Sequence, residues 1–208
     1  MNRPRGPTSY SRRDALSLLS LIPLSLSARS AAAAARAVGA VSEVKGIAVA
    51  ELGDDRRPLA VRSAVHLGET LSTGDNSRLK ALLARSANLS LSANARIKID
   101  RLIADGGGTV ALTSGALLVD TATRRSRGLT VTSPYGIIGT RGTRFFAGEL
   151  GESFSVFVER GAVDVRAAGQ TVRLRAGEGT DIASIGAPPG PIRRWGAEKI
   201  ARAMALVR

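Results

Sequence analysis

Between Val41 and Leu174 apolar residues recur two apart around a polar or small one, as in Leu89-Ser90-Leu91, Ile97-Lys98-Ile99, Leu129-Thr130-Val131, Val163-Asp164-Val165 and Val172-Arg173-Leu174. A period of two places alternate side chains on opposite faces of an extended chain, which is the pattern of half-buried strands. No window before residue 190 carries the 3.6-residue period of a helix. Turn signals such as Gly53-Asp54-Asp55, and a total of 23 glycines, supply the breaks between runs. The fold class read from this pattern is all-β.

A longer spacing lies over the short one. Ile97, Leu117, Ile137 and Phe157 recur at intervals of 20, and Leu89, Val110 and Val131 at 21. This predicts a β-solenoid-like stack of short strands around a narrow core, with a β-sandwich as the alternative. Aromatics make up only 3% of the chain, and small aliphatics suit such an interior. After Pro188-Pro189-Gly190-Pro191, residues Ile192, Trp195, Ile200, Met204 and Val207 fall on one face of a helix expected over 193–207. Its expected role is to cover an open end of the β-structure. The reading divides the chain into a leader (1–37), a β domain (38–187) and a linker with an amphipathic helix (188–208).

The leader has three zones: a polar, basic stretch to residue 14, an apolar stretch from Ala15 to Leu26, and a small-residue stretch over 27–37. That is the layout of a secretory signal peptide, and twelve apolar residues interrupted by Pro23 are short for a membrane span. Ser11-Arg12-Arg13-Asp14-Ala15-Leu16 resembles the twin-arginine export motif, with Ala15 where such signals usually have Phe. Arg12 and Arg13 are the export residues. The expected location is the periplasm, with an uncleaved signal anchoring the chain to the inner membrane and no span remaining after cleavage.

Composition excludes several chemistries. Without Cys there is no thiolate nucleophile and no Cys-based metal site, and with His66 alone no multi-His site. No cofactor is expected. Ser77-Arg78-Leu79-Lys80 and Ser42-Glu43-Val44-Lys45 both fit S-x-x-K, yet both read as strands, on which residues three apart face opposite ways. Asp54-Asp55 and Asp75-Asn76 read as turn formers. Residues before 36 account for +4 of the formal +13, leaving a still basic remainder in which arginines far outnumber the chain's four lysines. That excess reads mainly as the codon bias of a GC-rich genome, the alternative being an anion-binding face. Gly139-Thr140-Arg141-Gly142 matches the GxxG of nucleic-acid-clamping loops, but extended segments flank it where helices are required. Nucleic acid is therefore not an expected partner.

Four strings carry a family resemblance: Gly68-Glu69-Thr70-Leu71-Ser72-Thr73-Gly74, Leu129-Thr130-Val131-Thr132-Ser133-Pro134, Gly139-Thr140-Arg141-Gly142-Thr143-Arg144-Phe145 and Val158-Glu159-Arg160-Gly161-Ala162-Val163. In order and spacing they resemble the signatures of the FecR domain, and Ala176-Gly177-Glu178 is similar to that family's closing turn. The resemblance spans roughly residues 40–185. It implies an extracytoplasmic all-β module of the kind found in regulators that relay the state of an outer-membrane transporter to a sigma factor. Those regulators carry an anti-sigma helix and a membrane span before the domain, where this sequence has the export signal.

The expected function is thus a non-catalytic periplasmic sensing or protein-binding module in envelope signalling or assembly, with an outer- or inner-membrane signalling component as partner. The alternative is a binder of anionic envelope polymers, peptidoglycan or polysaccharide. The family-motif residues Gly68, Thr73, Gly74, Arg141, Gly142, Thr143, Phe145, Glu159, Gly161 and Gly177 have mainly structural roles on this reading, with binding as a second use. Arg141 is expected to pin a corner through Glu159 or Glu178.

Overall fold

The computed structural model describes residues 36–103, 107–121, 128–140 and 142–208. In chain order the strands are β1 (Ala37–Lys45), β2 (Ala48–Leu52), β3 (Asp55–Pro58), β4 (Ala64–His66), β5 (Thr70–Thr73), β6 (Arg78–Leu83), β7 (Ala87–Leu91), β8 (Arg96–Ile103) and β9 (Gly107–Ser114). Then follow β10 (Ala116–Thr121), β11 (Leu129–Ser133), β12 (Gly136–Thr140), β13 (Arg144–Leu150), β14 (Ser153–Arg160), β15 (Ala162–Ala167), β16 (Gln170–Arg175), β17 (Glu178–Ile182), β18 (Arg193–Arg194) and the helix α1 (Ala197–Val207). The fold is all-β with one short C-terminal helix.

The strands form two nine-stranded sheets around one shared core. Sheet A runs β18-β17-β14-β13-β10-β7-β6-β1-β4 and sheet B runs β16-β15-β12-β11-β9-β8-β5-β2-β3. The chain alternates between the sheets and lengthens both in the same direction. Progression along a stack, expected of a solenoid, is therefore combined with the face-to-face layers of a sandwich.

Pairing among the described strands is antiparallel except for β9 with β11, where Val110 sits opposite Val131. The 21-residue interval between those two valines is this one parallel rung; Leu89 lies on β7 in the other sheet. The 20-residue series has no common environment. Ile97 and Leu117 are in the main core, Phe157 lies beneath the helix, and Ile137 is 45% exposed on the outer side of sheet B.

The period-two residues meet between the sheets. Leu79, Leu83, Leu89, Leu91, Ile97, Ile99, Val131 and Val165 are all fully buried there. A second apolar group lies on the opposite side of sheet A. In Ala116-Leu117-Leu118-Val119 on β10, and in the runs on β13 and β14, both faces of the strand are buried. Their outward residues Ala116, Leu118, Phe146 and Phe157 are covered by Trp195 and by Ala203, Met204 and Val207 of α1.

The helix begins at Ala197, four residues later than expected, and corrects the expected role. It lies over the face of central strands, not over an open end, because those strands carry apolar residues on both sides. The Trp195 ring stacks on Phe157 with centroids 4.8 Å apart, and Lys199 Nζ lies 4.3 Å from the Trp195 ring while pairing with Asp181 at 2.7 Å. Among the described residues no helix is long and apolar enough to cross a membrane.

Candidate functional site

Arg12, Arg13 and Arg141 lie outside the described residues. The other motif residues divide by environment. Gly68, Gly142, Gly161 and Gly177 all have left-handed backbones, with φ of +84°, +65°, +89° and +84°. Gly161 is also sterically constrained, since a Cβ there would stand 2.6 Å from the Thr143 methyl. Gly74 differs: its φ is not left-handed, and its backbone is the useful part. Its N–H donates to the Ile47 carbonyl (3.0 Å), and its own carbonyl accepts from Ser77 (3.3 Å) and Asn94 (3.2 Å).

Thr73 belongs to a recurrent device that joins strand ends through buried hydroxyls, and Thr143 meets the same device through its backbone. Thr73 Oγ1 donates to the Ser92 carbonyl (2.6 Å) and accepts from the Ala95 N–H (3.0 Å). Thr121 Oγ1 does the same against Thr143, accepting from its N–H (2.9 Å) and donating to its carbonyl (3.1 Å). Ser77, first member of one S-x-x-K, is a third case: its hydroxyl accepts from the Ile47 N–H (2.8 Å) and donates to the Asp75 carbonyl (2.9 Å), while Lys80 pairs with Glu43 (2.7 Å). A hydroxyl held this way is not arranged as a nucleophile. Sequence pattern alone does not mark Thr121 or Ser77 as a staple, because a Ser or Thr at a strand end is equally common when solvated. Phe145 is a core side chain.

Glu159 opens onto the polar part of the outer face of sheet A. Arg144 bridges Glu159 and Asp120, at 3.1 Å to the latter; Arg160 reaches Asp120 at 2.7 Å and Arg208 reaches Glu159 at 3.3 Å. The register explains the cluster. Arg160 is paired across from Arg144, Arg144 from Asp120, and Asp120 from Asn88, so two arginines stand side by side and both reach the one carboxylate of Asp120, with Asn88 beyond it. Beyond the end of α1 this row borders a recess of about 260 Å³ lined by Lys80, Asn88, Ser90, Asp120, Arg144 and Val207. Glu178 does not meet Glu159's partners; its carboxylate accepts from the Arg175 N–H at 2.8 Å.

A second cluster, missed in the sequence, closes the N-terminal end of the stack. Glu69 is 2% exposed. Its carboxylate accepts from the His66 N–H (2.8 Å), Arg57 Nη2 (2.7 Å) and His66 Nδ1 (2.9 Å). An ionised carboxylate only accepts, so the proton of this last bond sits on Nδ1. Burial alone would raise the Glu69 carboxyl, but hydrogen bonds from the His66 backbone, Arg57 and the His66 ring, with the charge of Arg57, hold it below its ordinary value. Arg57 also donates to the Ala64 carbonyl at 2.6 Å. The one available signal was a Glu three residues after the chain's single His. No group of three or more His, Asp or Glu able to hold a metal ion occurs among the described residues.

Residues 69–164 match the family model described as FecR protein. The chain carries a FecR domain. That domain runs from the buried Glu69 to Asp164 on β15 and takes in the central strands of both sheets. Two crystal structures, each of a candidate anti-sigma factor from Parabacteroides distasonis, share the fold at TM-scores of 0.55 and 0.54 and identities of 16% and 15%. Each comparison covers 64% of this chain and 62% of the other, so the chain spans under two thirds of those structures. No curated protein matches the chain.

Proposed function

We propose that this chain is a non-catalytic signalling module of the cell envelope, which acts in the periplasm by binding a protein partner. The FecR domain over residues 69–164 carries the reading. The fold shared with candidate anti-sigma factors supports a regulatory role, and the leader with Arg12 and Arg13 supports export. Ser77 of the S-x-x-K strings acts as a strand-end staple, which agrees with a binding role.

The test is capture of periplasmic extract on the immobilised chain at about 0.15 M and about 0.5 M salt, the higher value screening exposed charges much more strongly. A single protein retained at both, and bound again when purified, is the expected result. Retention of polysaccharide or peptidoglycan alone, lost at the higher salt, would transfer the function to anionic polymers. Replacing Arg12 and Arg13 by Lys is expected to hold the protein in the cytoplasm; normal export of that variant would refute the twin-arginine route.

A further inference from the structure

A sheet edge leaves a row of backbone donors and acceptors that must be paired, blocked or hydrated. Among the described strands four such edges exist, and all but one are closed or interrupted. On β4 the Ala64 carbonyl and the His66 N–H are taken by Arg57 and Glu69. β3 is interrupted: Pro58 has no N–H, which leaves the Arg56 backbone, next to the Gly53-Asp54 turn, as its one complete outward pair. On β17 the outward groups are met by β18 and the segment before it. The Gly190 N–H donates to the Asp181 carbonyl (2.9 Å), Thr180 Oγ1 donates to the Gly190 carbonyl (2.7 Å), and the Trp195 N–H donates to the Gly177 carbonyl (3.1 Å).

The fourth edge is β16. It joins β15 through Ala168 and Gly169, with φ of +47° and +76°, the two-residue turn that makes Ala167 and Gln170 a hydrogen-bonded pair. Alternation then turns the backbone groups of Gln170, Val172 and Leu174 toward β15 and those of Thr171, Arg173 and Arg175 outward. The Arg175 N–H confirms the direction by donating to Glu178. Among the described residues no hydrogen bond reaches the outward N–H and C=O of Thr171 or Arg173, and both residues are exposed.

We propose that this edge receives an extended acidic segment of a protein partner as an added strand. The proposal rests on the protein-binding reading above and names the surface and the partner chemistry. Charge selects the occupant: β15 and β16 carry Arg166, Arg173 and Arg175 against Asp164, which stands a loose 3.8 Å from Arg173, and Glu178 follows, bonded to the Arg175 N–H. A second copy of β16 would bring Arg173 and Arg175 against their like. Val172 and Leu174 point inward beside the edge of the core, so the incoming strand alternates apolar residues toward the core with acidic ones on the Arg173 side.

The probe is an octapeptide alternating Val and Glu, titrated into the full chain, with a Val/Lys peptide of the same length beside it. Saturable binding of the Glu peptide alone is expected, with the Thr171 and Arg173 amides newly protected from hydrogen exchange. Arg173→Pro removes an outward donor while leaving the β15 ladder intact, and is expected to weaken binding about tenfold or more. Arg173→Glu keeps the N–H and reverses the charge, so it weakens binding even if the proline variant folds poorly. The proposal falls if the Glu peptide does not bind, if it binds Arg173→Pro unchanged, if protection appears elsewhere, or if the chain self-associates through β16 in sedimentation. A partner captured from extract and still retained by Arg173→Pro would leave the protein-binding reading standing and remove only the edge.

Discussion

At the N-terminal end of the stack, β4 meets two charged side chains: half-buried Arg57 and buried Glu69 fill the hydrogen-bonding positions of a next strand, and the ion pair between them, at 2.7 Å, keeps the carboxylate out of water. At the C-terminal end the two sheets part company. Sheet A is closed by β18 and the chain leading to it, whereas sheet B stops at β16 with the Thr171 and Arg173 backbone outward. One fold thus treats the same problem in two ways. Where an edge is sealed by a buried charge, the seal is part of the stability of the molecule; where it is left to solvent under a basic surface, changing it leaves stability nearly untouched.

The largest effect is expected at the sealed end. Glu69→Ala leaves the His66 N–H without its acceptor and the Arg57 guanidinium without its counter-charge, a loss of about 3 kcal/mol for a buried charged network broken on one side. At about 2–4 °C per kcal/mol, the melting temperature falls by roughly 6–12 °C. Chemical denaturation measures the free energy directly. A loss below about 1 kcal/mol would mean that the seal is dispensable and the two ends equivalent.

The same carboxylate gives a pH signature. Its folded-state value lies below the ordinary 4.5 that it regains on unfolding. Its contribution is complete above the unfolded value and is lost as pH falls through the folded one. Stability of the native chain is therefore expected to drop more steeply on acidification below about pH 4.5 than that of Glu69→Gln, whose amide does not titrate. Parallel slopes for the two proteins would remove the ionised carboxylate from the account of this end.

A smaller effect is expected where sheet A is closed at the far end. Thr180 is 1% exposed, and its hydroxyl is the donor to the Gly190 carbonyl. Thr180→Val keeps the shape and strands that carbonyl, at a cost of about 1–2 kcal/mol. Increased hydrogen exchange over residues 188–195, ahead of global unfolding, is the measurement that separates a loosened closure from general weakening.

Much of the strand content was legible because one face of most strands meets the core and the other meets water, which writes a period of two. The two-sheet arrangement was less legible. Ile137 and Phe157 share the 20-residue series with Ile97 and Leu117, yet lie on the outer sides of different sheets, so even spacing along the chain did not report a shared environment. The place of α1 was written in a different signal, the unbroken apolar runs Ala116-Leu117-Leu118-Val119 and Val156-Phe157-Val158, which mark strands covered on both faces. The Arg57 and Glu69 seal is carried by side chains twelve residues apart that a strand pairing brings together, and no local pattern announces it. At the motif corners the glycines were readable from their place between runs. Gly74 shows the limit, for the same position in sequence serves there through its N–H and carbonyl and not through φ.

The smallest effect belongs to the open edge and completes the contrast. The Arg173 side chain is 69% exposed, its approach to Asp164 is a loose 3.8 Å, and its backbone ladder to β15 does not depend on the guanidinium. Exposed pairs of this kind are worth little, so Arg173→Ala is expected to change stability by no more than about 0.5 kcal/mol. Set against Glu69→Ala, this is the decisive measurement of the pair. Both residues are charged, and both stand at sheet ends. Burial and the hydrogen bonds made within it separate their expected costs. If Arg173→Ala destabilised the chain as strongly as Glu69→Ala, the β16 edge would have to be held by contacts that its exposure does not reveal, and the division between a sealing end and a receiving end would be lost. Near-neutral stability, measured on the same denaturation series, leaves Arg173 on an edge whose substitution the fold tolerates.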